Sequence, residues 1–120
     1  MMIAGSTILV LEDEAIVGLE LEDAIAGAGG TALLVDRVDH ALDLAVECAI
    51  DGAILDVNVH GWESYPVADV LLRRGLPFIF ATGYGDKLHP ERFTTVPTVS
   101  KPYSLADIQQ ALISASERPA

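Results

Sequence analysis

Five short, mainly apolar runs dominate the chain, at residues 7–11, 31–35, 53–55, 78–81 and 96–100, and segments of helical periodicity separate them. Strands without polar alternation are covered on both faces, as parallel strands are, and parallel neighbours need long crossovers of the kind these helical segments supply. The pattern predicts an α/β fold: a doubly wound five-stranded parallel sheet with helices on both faces.

The crossovers can be placed residue by residue. Segment 13–28 sets Val17, Leu21, Ala24 and Ala28 on one helical face, and Gly29 and Gly30 stop it. A second helix carries Leu42, Ala45, Val46 and Ala49 on one face. Gly52 precedes the third run. A third helix is expected over 63–74, with Val67, Val70 and Leu71 inward, Pro66 in its first turn, Trp62 packing at its start and Gly75 ending it. Segment 83–95 is polar and broken by Gly85 and Pro90, so any helix there is short. Ser104 caps a last helix bearing Leu105, Ile108, Leu112 and Ala115.

At 120 residues this is expected to be one domain with a sizeable core, and with 51% hydrophobic residues it is not a disordered chain. No apolar run reaches the ~18 residues of a membrane helix, and there is no basic and apolar leader, so the expectation is a soluble cytoplasmic protein away from membranes. A formal net charge of −11 argues against nucleic-acid binding, which draws on Lys and Arg. Cys48 is the single cysteine, which excludes an internal disulfide and is expected to be a small buried hydrophobe. His40, His60 and His89 share no spacing and are expected as isolated surface residues.

Parallel α/β sheets bind ligands beyond the carboxyl ends of their strands. The residues there are Glu12 and Asp13, Asp56, Thr82 and Lys101. Each has an ordinary reading alone: an acidic pair caps a helix, an Asp ends a strand in a turn, a Lys before Pro is solvated. Together they place three carboxylates, a hydroxyl and an ammonium at one sheet edge. Two like charges about 4 Å apart repel by ~4 kcal/mol at an effective dielectric near 20. Three clustered carboxylates therefore call for a cation, and a hard divalent ion with oxygen ligands, such as Mg²⁺, suits them.

The strings ILVLEDEAIV, GAILDVNVHG, FATGYG and VSKPYS resemble, in order and over essentially the whole chain, the four signature regions of the response-regulator receiver family. The resemblance implies a flavodoxin-like sheet of strand order 2-1-3-4-5 and a single receiver domain over 1–120 without an output module. It implies Mg²⁺ held by Glu12, Asp13, Asp56 and the backbone carbonyl of Asn58, with Asp56 as phosphoacceptor and Thr82 and Lys101 contacting the phosphoryl group. It further implies a signalling phosphoacceptor rather than a conventional enzyme. The partners so implied are a histidine kinase or phosphotransfer protein and a downstream protein target, with the chain itself a monomer or weak dimer.

Many receivers carry an aromatic switch residue three positions before the lysine; here Thr98 stands there. The run Phe80-Ala81-Thr82-Gly83-Tyr84 resembles the FAT GUY subgroup, which lacks that aromatic and is associated with kinases of the HWE type. Segment 83–95 then becomes the expected moving part, and Tyr84 a residue lying over the site or in an exposed loop. Among rivals, a phosphatase of the haloacid dehalogenase type needs a general acid two residues after its nucleophile, where Asn58 cannot serve. A nucleotide carrier needs a glycine-rich loop where Glu12 and Asp13 stand, and a non-phosphorylated scaffold would be expected to have lost part of the acceptor set.

Overall fold

The computed structural model describes residues 1–83 and 89–117. In chain order it has β1 (Thr7–Leu11), α1 (Ala15–Gly27), β2 (Thr31–Val35), α2 (Val38–Glu47), β3 (Gly52–Asp56), β4 (Asn58–Val59), β5 (Trp62–Glu63), α3 (Tyr65–Arg74), β6 (Phe78–Thr82), a 3₁₀ turn (Glu91–Phe93), β7 (Thr98–Ser100) and α4 (Leu105–Ser116). The main sheet is wholly parallel in the order β2-β1-β3-β6-β7, so the expected flavodoxin-like topology holds.

Alternation along the central strands builds two cores. Leu9, Leu11, Ala53, Leu55, Phe78 and Phe80 face α2 and α3, where Ala41, Ala45, Val67 and Leu71 meet them. Ile8, Val10, Ile54, Ile79 and Ala81 face α1 and α4, against Leu21, Ile25, Ile108 and Leu112. Both faces of each central strand are thus withdrawn from water, which is why their sequences read as continuous apolar runs.

Helix ends follow local chemistry. Gly75 closes α3 in the left-handed region at φ 69°, a conformation that favours glycine. Ser104 and Asp107 form a reciprocal capping box at the start of α4. Across the α2–α3 layer, Arg74 Nη1 donates to the carbonyls of Ala45 (2.5 Å) and Cys48 (3.1 Å), satisfying the end of one helix from the end of the next. Cys48 is half-buried and packs against the core.

Several expectations are corrected. The buried stripe of α2 runs through Ala41 and Ala45, flanked by Val38 and Leu42, whereas Val46 is 58% exposed and Ala49 lies exposed beyond the helix. The helix begins at Val38, and Val38, Leu42 and Leu44 pack beside that stripe against the core. The third helix begins at Tyr65 rather than 63, because residues 58–63 form a small antiparallel hairpin, Asn58↔Glu63 and Val59↔Trp62. Its turn residues His60 and Gly61 both have positive φ (52° and 83°), the requirement of a tight two-residue hairpin turn. Trp62 therefore sits on the hairpin, 72% exposed, and not in a helix–core contact. The last strand shortens to Thr98–Ser100, since the Val96 N–H turns back to the Phe93 carbonyl. Among the described residues of segment 83–95 the one helical element is the 3₁₀ turn; Tyr84, with the rest of 84–88, lies outside the described residues. No helix among the described residues is long and apolar enough to cross a membrane.

Candidate phosphoacceptor site

The register of the parallel strands brings the candidate residues together. Leu11 pairs with Leu55, so Glu12 and Asp56 follow side by side at the carboxyl ends of β1 and β3. Asp56 itself pairs with Ala81, which places Thr82 one step further along β6. Thr82 pairs with Ser100, and its carbonyl accepts the Lys101 N–H at 2.8 Å, so Lys101 enters from β7. A cis peptide joins Lys101 to Pro102. Glu12, Asp56 and Thr82 are all buried, at 3, 5 and 3% exposure.

Lys101 is the hub. Its Nζ donates to Glu12 Oε1 at 2.8 Å and to Glu14 Oε1 at 3.1 Å, and lies 3.0 Å from Asp56 Oδ1. Asp13 completes the acidic set from the turn before α1. Its Oδ2 accepts the His60 N–H at 3.0 Å, which ties the hairpin to the site. Ligand oxygens of Glu12, Asp13 and Asp56 all lie within 4.8 Å of one another. They flank a cleft of about 300 Å³ whose walls include Asp13, Asp56, Asn58, Gly83 and Lys101.

Four carboxylates around one ammonium leave the cluster with excess negative charge. Burial, reinforced by the neighbouring Glu12 carboxylate, pushes the Asp56 carboxyl up to about 9, and the attraction of Lys101 only partly offsets this. Burial also works to lower the Lys101 ammonium, but hydrogen bonds to Glu12 and Asp56 outweigh it and hold the group above its ordinary value. Oxygen donors only, three of them carboxylates at one open cleft, match the preference of a hard divalent cation such as Mg²⁺, which keeps waters and takes one or two carboxylates. The donor set therefore fits the expected ion.

All the expected residues, Glu12, Asp13, Asp56, Asn58, Thr82 and Lys101, meet at this edge. Two contributors were not foreseen. Glu14 joins the lysine, and the unbroken acidic run Glu12-Asp13-Glu14 was the available signal. His89 is no isolated surface residue: its ring stacks on Phe80 at 4.4 Å and bonds Tyr65 and Thr98. No sequence spacing announces that contact. His60 and His40 are exposed.

No family model matches the chain, and no curated protein does either. Solved structures do. The solution structure of SdrG from Sphingomonas melonis Fr1 is 38% identical, covering 96% of this chain and 98% of that one, with a TM-score of 0.83. The BeF3-activated conformation of SdrG from Pseudomonas melonis Fr1 is also 38% identical, covering 94% of this chain and 98% of that one, with a TM-score of 0.76. The PhyR response-regulator receiver domain of Erythrobacter litoralis, at 22% identity and a TM-score of 0.73 over 98% and 97% of the two chains, shares the fold. The identity to SdrG runs nearly the full length of both chains and accompanies the same sheet order and the acidic cluster at its edge: this chain belongs to the response-regulator receiver family.

Proposed function

We infer that Asp56 accepts a phosphoryl group from a phosphohistidine of a kinase or phosphotransfer protein, in a Mg²⁺-dependent reaction, and that the chain signals through protein contacts. The observation that carries this is the convergence of Asp56, Glu12 and Asp13 within 4.8 Å, with Lys101 3.0 Å from Asp56, at the open end of a parallel sheet. The BeF3-activated state of its 38%-identical relative SdrG supports the same reading for this chain.

Glu12, Asp13, Asp56 and the Asn58 carbonyl would hold Mg²⁺, which supplies positive charge to the cluster and to phosphoryl oxygens. An Asp56 oxygen forms the new O–P bond as the P–N bond to the histidine breaks, and the departing imidazole keeps that electron pair. Lys101 neutralises charge on the phosphoryl oxygens through a loose transition state, and the Thr82 hydroxyl donates to one of them once the group has arrived. Asp56 must be ionised to attack, and burial beside Glu12 opposes this. The requirement for a divalent cation is thus electrostatic as well as geometric.

The Phe80-Ala81-Thr82-Gly83-Tyr84 run and Thr98 before Lys101 favour placing the chain in the FAT GUY subgroup, with an HWE-type kinase as donor. Incubation with Mg²⁺ and acetyl phosphate, followed by intact mass, is the test. A phosphorylated species in the wild type and none in Asp56→Asn is expected; an Asp56→Asn protein labelled as well as the wild type would overturn the assignment.

A further inference from the structure

His89 lies over Phe80, two residues before Thr82 on the same side of β6. His89 is half-buried there, stacked on Phe80 with ring centroids 4.4 Å apart and edge-on to Tyr65 at 5.9 Å. Its two ring nitrogens reach different elements. Nδ1 lies 3.0 Å from the Tyr65 hydroxyl, on the first residue of α3, and Nε2 lies 3.0 Å from Thr98 Oγ1 on β7.

Each ring nitrogen is thus within hydrogen-bond distance of one hydroxyl, and the tautomer decides which partner donates in each bond. Both anchors lead back to the phosphoacceptor site. Tyr65 follows Ser64, whose N–H is held by the carbonyl of Val57, the residue after Asp56. Thr98 pairs with Phe80 in the register that pairs Ser100 with Thr82 and hangs Lys101 on the Thr82 carbonyl. His89 therefore closes a ring of contacts through Asp56, α3, β6 and β7.

The geometry points to His89 as a positioning residue that couples the phosphoacceptor site to α3 through Tyr65 and to the β7 edge through Thr98. This rests on Asp56 being the acceptor, so the test separates the two claims. Methyl spectra of the full chain are recorded with Mg²⁺ alone and with Mg²⁺ and beryllofluoride, in the wild type and in His89→Ala, Tyr65→Phe and Thr98→Val. Ala81 reports on the cleft, Val67 on α3 and Val96 on the approach to β7.

In the wild type all three shift on adding beryllofluoride. In His89→Ala the Ala81 shift persists and those of Val67 and Val96 are lost. Tyr65→Phe loses the Val67 response alone, and Thr98→Val the Val96 response alone. These two isosteric changes keep the test decisive if His89→Ala fails to fold. Wild-type responses at Val67 and Val96 in His89→Ala, or in both single-arm variants, overturn the coupling. A silent Ala81 in the wild type instead overturns the acceptor assignment.

Discussion

The two halves of the candidate phosphoacceptor site are built differently. The Glu12–Asp56 half stands on β1 and β3, inner strands paired over four positions from Ile8↔Gly52 to Leu11↔Leu55 and buried throughout. The Thr82–Lys101 half rests on β6 and on β7, an edge strand of three residues whose own side chains are exposed or half-buried. Backbone register and core burial hold the first half and β6; towards β7, side chains add to the register: the aromatic group of Tyr65, Phe78, Phe80 and Phe93, the His89 bridge, and a surface pair in which Arg92 Nε donates to Asp69 at 2.7 Å. Acceptor chemistry needs fixed carboxylates, whereas a change that reaches a partner needs elements of low local stability.

The contrast can be broken most sharply at Lys101, which spans both halves. In Lys101→Ala the buried Glu12 and Asp56 lose their cation, and a loss of about 3 kcal/mol in metal-free urea unfolding is expected. A loss below about 1 kcal/mol would mean that the acidic half does not depend on it.

Asp56 gives the next effect, with the sign set by its raised value. A carboxyl held up to about 9 in the folded protein favours the protonated form, so its contribution is full below the unfolded value near ~4 and fades as pH rises through about 9. Chelator-treated protein should lose stability across that window, and Asp56→Asn should flatten the slope and raise stability at neutral pH by about 1–3 kcal/mol. An unchanged slope in Asp56→Asn would assign the pH dependence to another group.

Mg²⁺ at ten times its dissociation constant should restore about 1.4 kcal/mol to the wild type by mass action and much less to Asp13→Asn. Equal gains in both proteins, measured by thermal melts, would remove Asp13 from the ligand set. Smallest is Thr98→Val, which gives up the bond to His89 and a long 3.5 Å contact to the Val96 carbonyl at the edge strand and should cost about 0.5–1.5 kcal/mol. A larger cost would show β7 to be as firmly held as the inner strands.

The inner half was also the more legible in sequence. Its strands are contiguous apolar runs ending in acids, and Gly75 and Ser104 punctuate helices where their chemistry requires. The outer features were hidden for physical reasons. Two-residue strands are too short to show a period, so the hairpin and the exposure of Trp62 went unseen despite the His60-Gly61 turn. In α2 apolar residues occur on more than one side, and packing against the sheet buries Ala41 and Ala45 rather than Val46 and Ala49. His89 meets Tyr65 and Thr98 only after the sheet has assembled, a long-range contact without local trace. The joint position of Asp56, Thr82 and Lys101 at strand ends was legible in the sequence, while the roles proposed for them came from the resemblance of the surrounding strings to receivers.

The hairpin turn has a practical consequence. The His60 N–H and a cation at the acidic cluster would both draw on the Asp13 carboxylate, so filling the cluster tugs on the turn, and Trp62 sits beside that turn with its indole in water. Trp62 is thereby placed to serve as an intrinsic optical probe: a change in its indole emission on titrating Mg²⁺ would read occupancy of the cluster without a label.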